Sequence, residues 1–493
     1  MASTTPFFKP FGPLLFGRPA ARRAASRLRG GAGSLEGLQE LFGGLFGAGL
    51  LDGGARGANS RERVFSPRVT FWAFVAQVLS PESPCREAVR RVQAWWGRAV
   101  PPALARLSAS TSAYCRARAR LDQATLGLIS DQLARSLERG VLEGERTFRG
   151  RPVKIIDGTM LSMPDTPANQ AVWPQSSGQK PGLGFPLMKL VGLFSLASGA
   201  LLASATGNRR EHETTLFRGL WGKLEKADIL LGDRGFCSYL NLVALARRGV
   251  DSVMRLHQAR PVDFRRGRRL GFDDRLVTWT KPAQRQPTWT PEEFAALPGT
   301  LLVRLIRLRV AAPGFRTRTV VLATTLLDAA AYPADALGAL YGRRWEVEGH
   351  FFEIKETLAL DVLRCKSPGM VEREVAVHRI AYNLVRALMQ RAAHGHGVPP
   401  GRVSFKGSLD ALRQWGAVIA AAGAGVKKQD ALIAELLAAI ARDPVPERPG
   451  RSEPRARKRR PKNYQLLTQS RRATGNPPRR NRPKRKHPKS PLS

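Results

Sequence analysis

Cysteine is scarce in this 493-residue chain: Cys85, Cys115, Cys237 and Cys365 are far apart and form no C-x-x-C pair. That spacing excludes a disulfide-stapled scaffold and a zinc knuckle, and it fits a reducing cytosol. Acids are also few, with 39 Asp and Glu against 80 Lys and Arg, a net charge of +41. Such a surplus concentrates polyanions around the protein, and each phosphate it neutralises adds a salt-dependent increment of affinity. Long apolar runs are missing as well. The best candidate for a membrane span, Leu190 to Gly207, is broken by Ser198-Gly199 and reads as two hairpin strands. The first residues lack a basic stretch followed by a clean apolar one, so no signal peptide is expected. A soluble protein without a membrane partner follows. Its apolar content, 43%, is ordinary for a folded chain, and its length calls for two to four structural units.

Patterning divides the chain. Residues 1–60, rich in Gly, Ala and Arg, read as a poorly ordered leader with one short helix around Leu35 to Phe46. Residues 61–147 show apolar spacing of helical period, and STSAYCRARARL sets Arg116, Arg118 and Arg120 along one edge. A helical domain with a basic edge suits duplex DNA; solvated arginines on a bundle explain these residues equally well. In residues 148–257 the strand-like runs VKIID, LMKLVGLFSL, GALLASATG, ADILLGD and DSVMRLH appear in order, with helices before the last two. Three strands, helix, strand, helix, strand is the order of an α/β, ribonuclease-H-like mixed sheet flanked by helices. Residues 258–330 interrupt it as a β-rich insertion, and residues 331–395 complete the core with helices. A helical region follows at 396–446. The tail, 447–493, holds seventeen Lys and Arg against two acids and is expected to be disordered unless bound.

The chemistry lies in three acids. Asp157 (KIIDGT) and Asp233 (ILLGDRGF) each end a strand-like run, and Glu348 lies in YGRRWEVEGHFFEIKETL. In that segment Tyr341, Arg344, Glu348 and Lys355 are offset by three, four and seven residues, which predicts one helical face. Carboxylates from two strand ends and a helix suit two Mg²⁺ ions roughly 3.5–4 Å apart, one activating the attacking oxygen and one stabilising the leaving oxygen. Asp157 is the expected shared ligand, with Asp233 and Glu348 each completing one ion. Arg344 and Lys355 would grip phosphates on either side of the scissile bond, and Tyr341 would donate to another phosphate oxygen. Singly, each acid reads as a turn residue or half of a helix-surface ion pair. Their coincidence with the right elements in the right order favours the site. Lys180 and Lys189 are further DNA candidates. His212-Glu213 lacks the second His of a zinc protease, SSGQKPGLGF is no nucleotide loop, and His378, Tyr382 and Asn383 read as core organisers.

The order IDGT, GDRGF and Tyr-x-x-Arg-x-x-x-Glu-x-x-x-x-x-x-Lys resembles the DDE transposases of bacterial insertion sequences. It is similar to the group defined by that Tyr-Arg-Glu-Lys signature, insertion-sequence family four. TSAYCRARARL, MPDTPANQ, SGQKPGLGFP, DVLRCKSPGMV, HRIAYNLVRALM and EPRARKRRPKNYQLLT add to the likeness, which covers roughly residues 62 to 472. The resemblance implies a ribonuclease-H-like core with a β-rich insertion before the Glu-bearing helix. It implies Mg²⁺-dependent cleavage at the element's ends, with Mn²⁺ substituting, and attack of the 3′-hydroxyl on target DNA. The partners implied are inverted-repeat ends, target DNA and a second copy of the chain in a synaptic complex, in a prokaryotic cytoplasm at the nucleoid. In relatives that pass through a DNA hairpin, an aromatic in the insertion stacks on a flipped base. Trp279 and Trp289 are the candidates here, and at least one of them is expected in the core. A nuclease of the same fold without strand transfer and a non-catalytic DNA-packaging protein are the competing readings.

Overall fold

The computed structural model describes Leu51 and residues 64–80, 83–99, 107–146, 148–309, 319–421 and 426–446. Apart from Leu51, the expected leader (1–60) with its short helix lies outside the described residues, as does the basic tail (447–493). Helices come first: α1 (Pro67–Val78), α2 (Cys85–Ala99), α3 (Ser112–Ala119) and α4 (Gln123–Arg139). Ser66 accepts from the Val69 N–H and Pro67 opens α1 with a preset φ, so the start of the helix is fixed locally. Asp122 caps α4 in the same way. Nearly every residue of α1 is buried, which makes it the centre of the N-terminal helices rather than an amphipathic surface helix.

The sheet elements are β1 (Val153–Ser162), α5 (Pro167–Val172), β2 (Leu187–Ser195), β3 (Leu201–Asn208), α6 (Glu213–Arg218), β4 (Ile229–Gly232), α7 (Tyr239–Arg247) and β5 (Asp251–Arg255). Next come β6 (Arg268–Gly271), β7 (Asp274–Thr280), α8 (Pro291–Ala295), β8 (Thr300–Arg309) and β9 (Thr319–Thr324). The closing helices are α9 (Ala334–Gly342), α10 (Glu346–Phe352), α11 (Pro368–His396), α12 (Phe405–Ala421) and α13 (Val426–Ala441).

One nine-stranded sheet runs in the order β3-β2-β1-β4-β5-β9-β8-β7-β6. β1 is antiparallel to β2 and parallel to β4, and β4 is parallel to β5. The pleat sends alternate residues to opposite sides: Ile155, Ile229 and Leu231 join the core under α11, while Ile156 and Leu230 join the core under α7. Leu190 to Gly207 is the β2–β3 hairpin, and among the described residues no helix is long and apolar enough to cross a membrane. Tyr382 and Asn383 of α11 tie that hairpin down. The phenol donates to the Gly199 carbonyl at 2.7 Å, and the Asn383 amide pairs with both the N–H and the carbonyl of Leu201.

The residues read as an insertion do not form a sheet of their own. β9 pairs antiparallel with β5, so β6 to β9 lengthen the central sheet edgewise. A buried ion pair fixes the far end: Arg304 of β8 meets Asp274 of β7 at 2.5 Å and also donates to the Tyr332 carbonyl at 2.6 Å. Gly267, at the entry to β6, has φ +86, and a Cβ there would stand 2.3 Å from the Leu276 carbonyl oxygen. Gly267→Ala is therefore expected to cost at least about 2 kcal/mol, read as a lowered midpoint in urea.

Candidate active site

The parallel pairing of β1 with β4 ends at Ile156 opposite Gly232. Asp157 and Asp233 are the next residues on the two strands, so adjacent backbones deliver both carboxylates to one place. Asp157 does not end its strand, as the apolar run suggested. β1 continues beside β2 to Ser162, because β2 supports it after β4 has turned away. The Asp157 carboxylate accepts from the Gly158 N–H at 2.8 Å, and that of Asp233 accepts from the Gly235 N–H at 2.8 Å. Burial pushes the Asp157 carboxyl up to about 6, helped by the charges of Asp233 and Glu213 and opposed by the Gly158 N–H and Arg344.

Arg344 arrives from the other side. It is buried, and its Nη1 lies 3.2 Å from Asp157 Oδ2. Tyr341, one turn earlier, is buried close to Arg344 and Asp233; burial pushes its phenol up to about 12, so it remains a hydrogen-bond donor. Lys355 donates to Thr159 Oγ1 at 3.1 Å, two residues beyond Asp157 on β1. Four of the signature and strand-end residues therefore form one cluster, with Lys355 at its edge.

The segment is not the single helix its spacing predicted. α9 gives way to a 3₁₀ turn at Arg343–Trp345, α10 follows, and a π-turn spans Glu353–Thr357. Tyr341, Arg344, Val347, Phe351 and Ile354 form the buried stripe, and Glu348 lies on the exposed side. Each change of helical pitch rotates the side chains that follow, so regular 3.6-residue spacing does not carry across the segment. Among the described residues, no three Asp, Glu, His or Cys side chains stand close enough together to hold a metal ion. The structure thus joins Asp157, Asp233, Arg344 and Tyr341, and leaves Glu348 one turn from Arg344 and outside a three-acid cluster.

The remaining candidates divide. Arg116 and Arg120 are exposed, whereas the Arg118 side chain is buried over the rings of Phe74 and Tyr114. The helix turns its i+2 neighbour inward, which a row of alternating arginines does not reveal. Lys189 is half-buried and donates to the Glu211 carbonyl at 2.7 Å, while Lys180 is exposed. Trp279 and Trp289 are both core residues at 5% exposure, Trp289 packing near Trp221 and under Arg218, and Trp279 under Arg260. Both rings help to close the core of the sheet extension.

Two features escaped the sequence reading. Glu213, at the start of α6, puts its carboxyl carbon 3.0 Å from where a Cβ on Gly158 would be, an acid near Asp157 in addition to Asp233. The Asp-Gly pair was the available signal, since a glycine there admits a neighbour's side chain. At the β6–β7 turn Phe272 is 77% exposed, and Arg265, Arg266, Arg268 and Arg269, before and on β6, are exposed as well.

Residues 148–384 match the family described as Transposase DDE domain. The chain is 27% identical over 408 residues to Transposase InsG for insertion sequence element IS4 of Escherichia coli (strain K12), covering 82% of this chain and 88% of that one. Among solved structures, a piggyBac transposase synaptic complex with hairpin DNA aligns with 92% of this chain and 88% of that chain, at 9% identity and a TM-score of 0.44. The family match spans β1 to the middle of α11, the stretch that carries Asp157, Asp233 and the Tyr-Arg-Glu-Lys signature. Residues 148–384 are thus similar to a transposase DDE domain, and the chain as a whole is similar to an insertion-sequence transposase.

Proposed function

We propose that the chain cleaves phosphodiester bonds at the ends of its own insertion sequence and joins the freed 3′-hydroxyls to target DNA. The core is read as ribonuclease-H-like, the working unit as a homodimer on paired DNA ends, and the setting as the nucleoid of a prokaryotic cell. One observation carries the reading: Asp157 and Asp233 leave adjacent parallel strands at the same register, with Arg344 closing on Asp157 from the signature segment.

Divalent ions are proposed at this point, with Glu348 to be brought to Asp157 and Asp233 by the substrate-bound state. Two carboxylates already share it, and the third, Glu348, is one helical turn from a side chain that touches Asp157. Asp157, Asp233 and Glu348 would hold two Mg²⁺ ions, or Mn²⁺ in their place, and the ions would supply an activated attacking oxygen and a stabilised leaving one. Arg344 holds Asp157 before substrate arrives and can turn to a phosphate oxygen once the carboxylate has a stronger partner. Lys355, carried on the π-turn, meets the neighbouring phosphate, and the Tyr341 phenol keeps its proton to donate to the backbone.

The proton and the ion compete for Asp157. Cleavage is expected to fall as pH drops through about 6, and raising the Mg²⁺ concentration is expected to move that fall to lower pH. A fall that ignores Mg²⁺ in an end-cleavage time course would count against Asp157 as a ligand.

The β6–β7 ribbon is the proposed backbone contact of the sheet extension. Arg265 and Arg266 have side chains 92% and 86% exposed although both touch Asp263, and Arg268 and Arg269 are exposed on the edge strand. Changing all four to Ala is expected to flatten log K against log salt by about 3 in a duplex-binding titration. An unchanged slope would show that these arginines serve only to keep the edge strand solvated. The whole reading is tested by supplying pre-cleaved ends: strand transfer distinguishes a transposase from a nuclease of the same architecture.

A further inference from the structure

Three of the four cysteines, distant in sequence, meet in one cavity of about 410 Å³ lined by Cys85, Cys115, Cys365 and Arg118. It lies at the seam between the N-terminal helices and the core, where Arg364 donates to the Ser83 carbonyl at 3.2 Å. Arg118 is 9% exposed, with its guanidinium 4.8 Å from the Phe74 ring and 5.0 Å from the Tyr114 ring. Its Nη2 lies 3.3 Å from Cys85 Sγ and 3.8 Å from Cys115 Sγ, and its buried Nε has no hydrogen-bond partner. The ionisable groups that act on it are Tyr114 and the three thiols.

A guanidinium this deeply buried depends on the groups packed around it, and here its Nη2 is directed at sulfur. The three thiols are not equivalent. Cys365 is buried, and burial holds it well above the ordinary thiol range; burial and Cys85 push Cys115 upward too. Cys85 is half-exposed and is the first residue of the fifteen-residue helix α2, and the Arg118 guanidinium stands 3.3 Å from its sulfur. Those two features, with partial access, mark protein thiols that react.

We propose that Cys85 is a peroxide-reactive thiol and Cys115 its resolving partner, so that a hydroperoxide converts them to a disulfide tying the start of α2 to α3. In the first step the Cys85 thiolate attacks the terminal oxygen of the hydroperoxide and the O–O bond breaks. The leaving alkoxide or hydroxide takes a proton, and the sulfur is oxidised by two electrons to a sulfenic acid. In the second step Cys115 sulfur attacks Cys85 sulfur, the S–O bond breaks, and the Cys115 proton leaves with the hydroxyl as water.

The experiment uses the reduced full chain, one equivalent of hydrogen peroxide near neutral pH, and peptide mapping. The expected product is a Cys85–Cys115 disulfide with Cys237 still free. In Cys115→Ser a dimedone adduct is expected on Cys85. Arg118→Lys keeps the cation and is expected to retain the reaction, whereas Arg118→Met is expected to slow oxidation of Cys85 by about tenfold or more. If Arg118→Met fails to fold, the Cys115→Ser adduct still decides. Equal labelling of all four cysteines, a crosslink between another pair, or no adduct on Cys85 in Cys115→Ser would overturn the assignment.

Discussion

Asp157→Asn is expected to reduce end cleavage and strand transfer at least about a thousandfold while leaving end binding within a few-fold of the parent. The same substitution is expected to stabilise the fold near pH 7.5. A carboxyl whose pKa rises on folding binds its proton more tightly in the native state, so its contribution is complete below about pH 4. It is lost as pH rises through about 6, leaving an ionised, partly buried group that opposes folding at neutral pH. Each pKa unit corresponds to about 1.4 kcal/mol, and Arg344 loses a charge partner in the variant, so a net gain of about 1 kcal/mol is expected. Thermal unfolding of parent and variant at pH 5 and pH 7.5 checks the sign: the gap should close at the lower pH. Residual cleavage within tenfold of the parent would remove Asp157 from the chemistry.

Asp274→Ala is expected to have the largest effect on stability. Arg304 has 0% exposure, and Asp274 is the carboxylate that meets it, through both Nε and Nη2. Deleting the acid leaves an unpaired buried cation, a loss of about 3–5 kcal/mol in chemical denaturation. Replacing both partners, as in Asp274→Leu with Arg304→Met, is expected to recover most of it, because the pair's desolvation cost disappears with its attraction. Failure of the double variant to recover would show that the further bond from Arg304 to the Tyr332 carbonyl holds the sheet extension to the helices that follow.

The legible parts of the sequence were those set by local period. Alternation through VKIID and ADILLGD marked two strands, and a polar residue ending each apolar run located Asp157 and Asp233. The Ser198-Gly199 turn separated two strands from a false membrane span. Illegible parts depended on tertiary context. The pitch changes around Glu348 arise where α10 packs on β1, and no residue in YGRRWEVEGHFFEIKETL announces them. Arg118 looked like a surface cation because charge alone does not show that two aromatic rings and two sulfurs are folded around it. Trp279 and Trp289 were drawn inward because β6 to β9 join the central sheet and must cover its face. Glu213 was weighed only against a zinc motif, while its neighbour in space was the glycine after Asp157.

The most direct test counts Mn²⁺ ions bound by the full chain on duplex DNA carrying its own terminal repeat, by calorimetry or electron spin resonance, with catalysis blocked by a terminal dideoxynucleotide. Two ions per protomer are predicted, with at least one lost in each of Asp157→Asn, Asp233→Asn and Glu348→Gln. Undiminished binding in Glu348→Gln would contradict the convergence of the three acids.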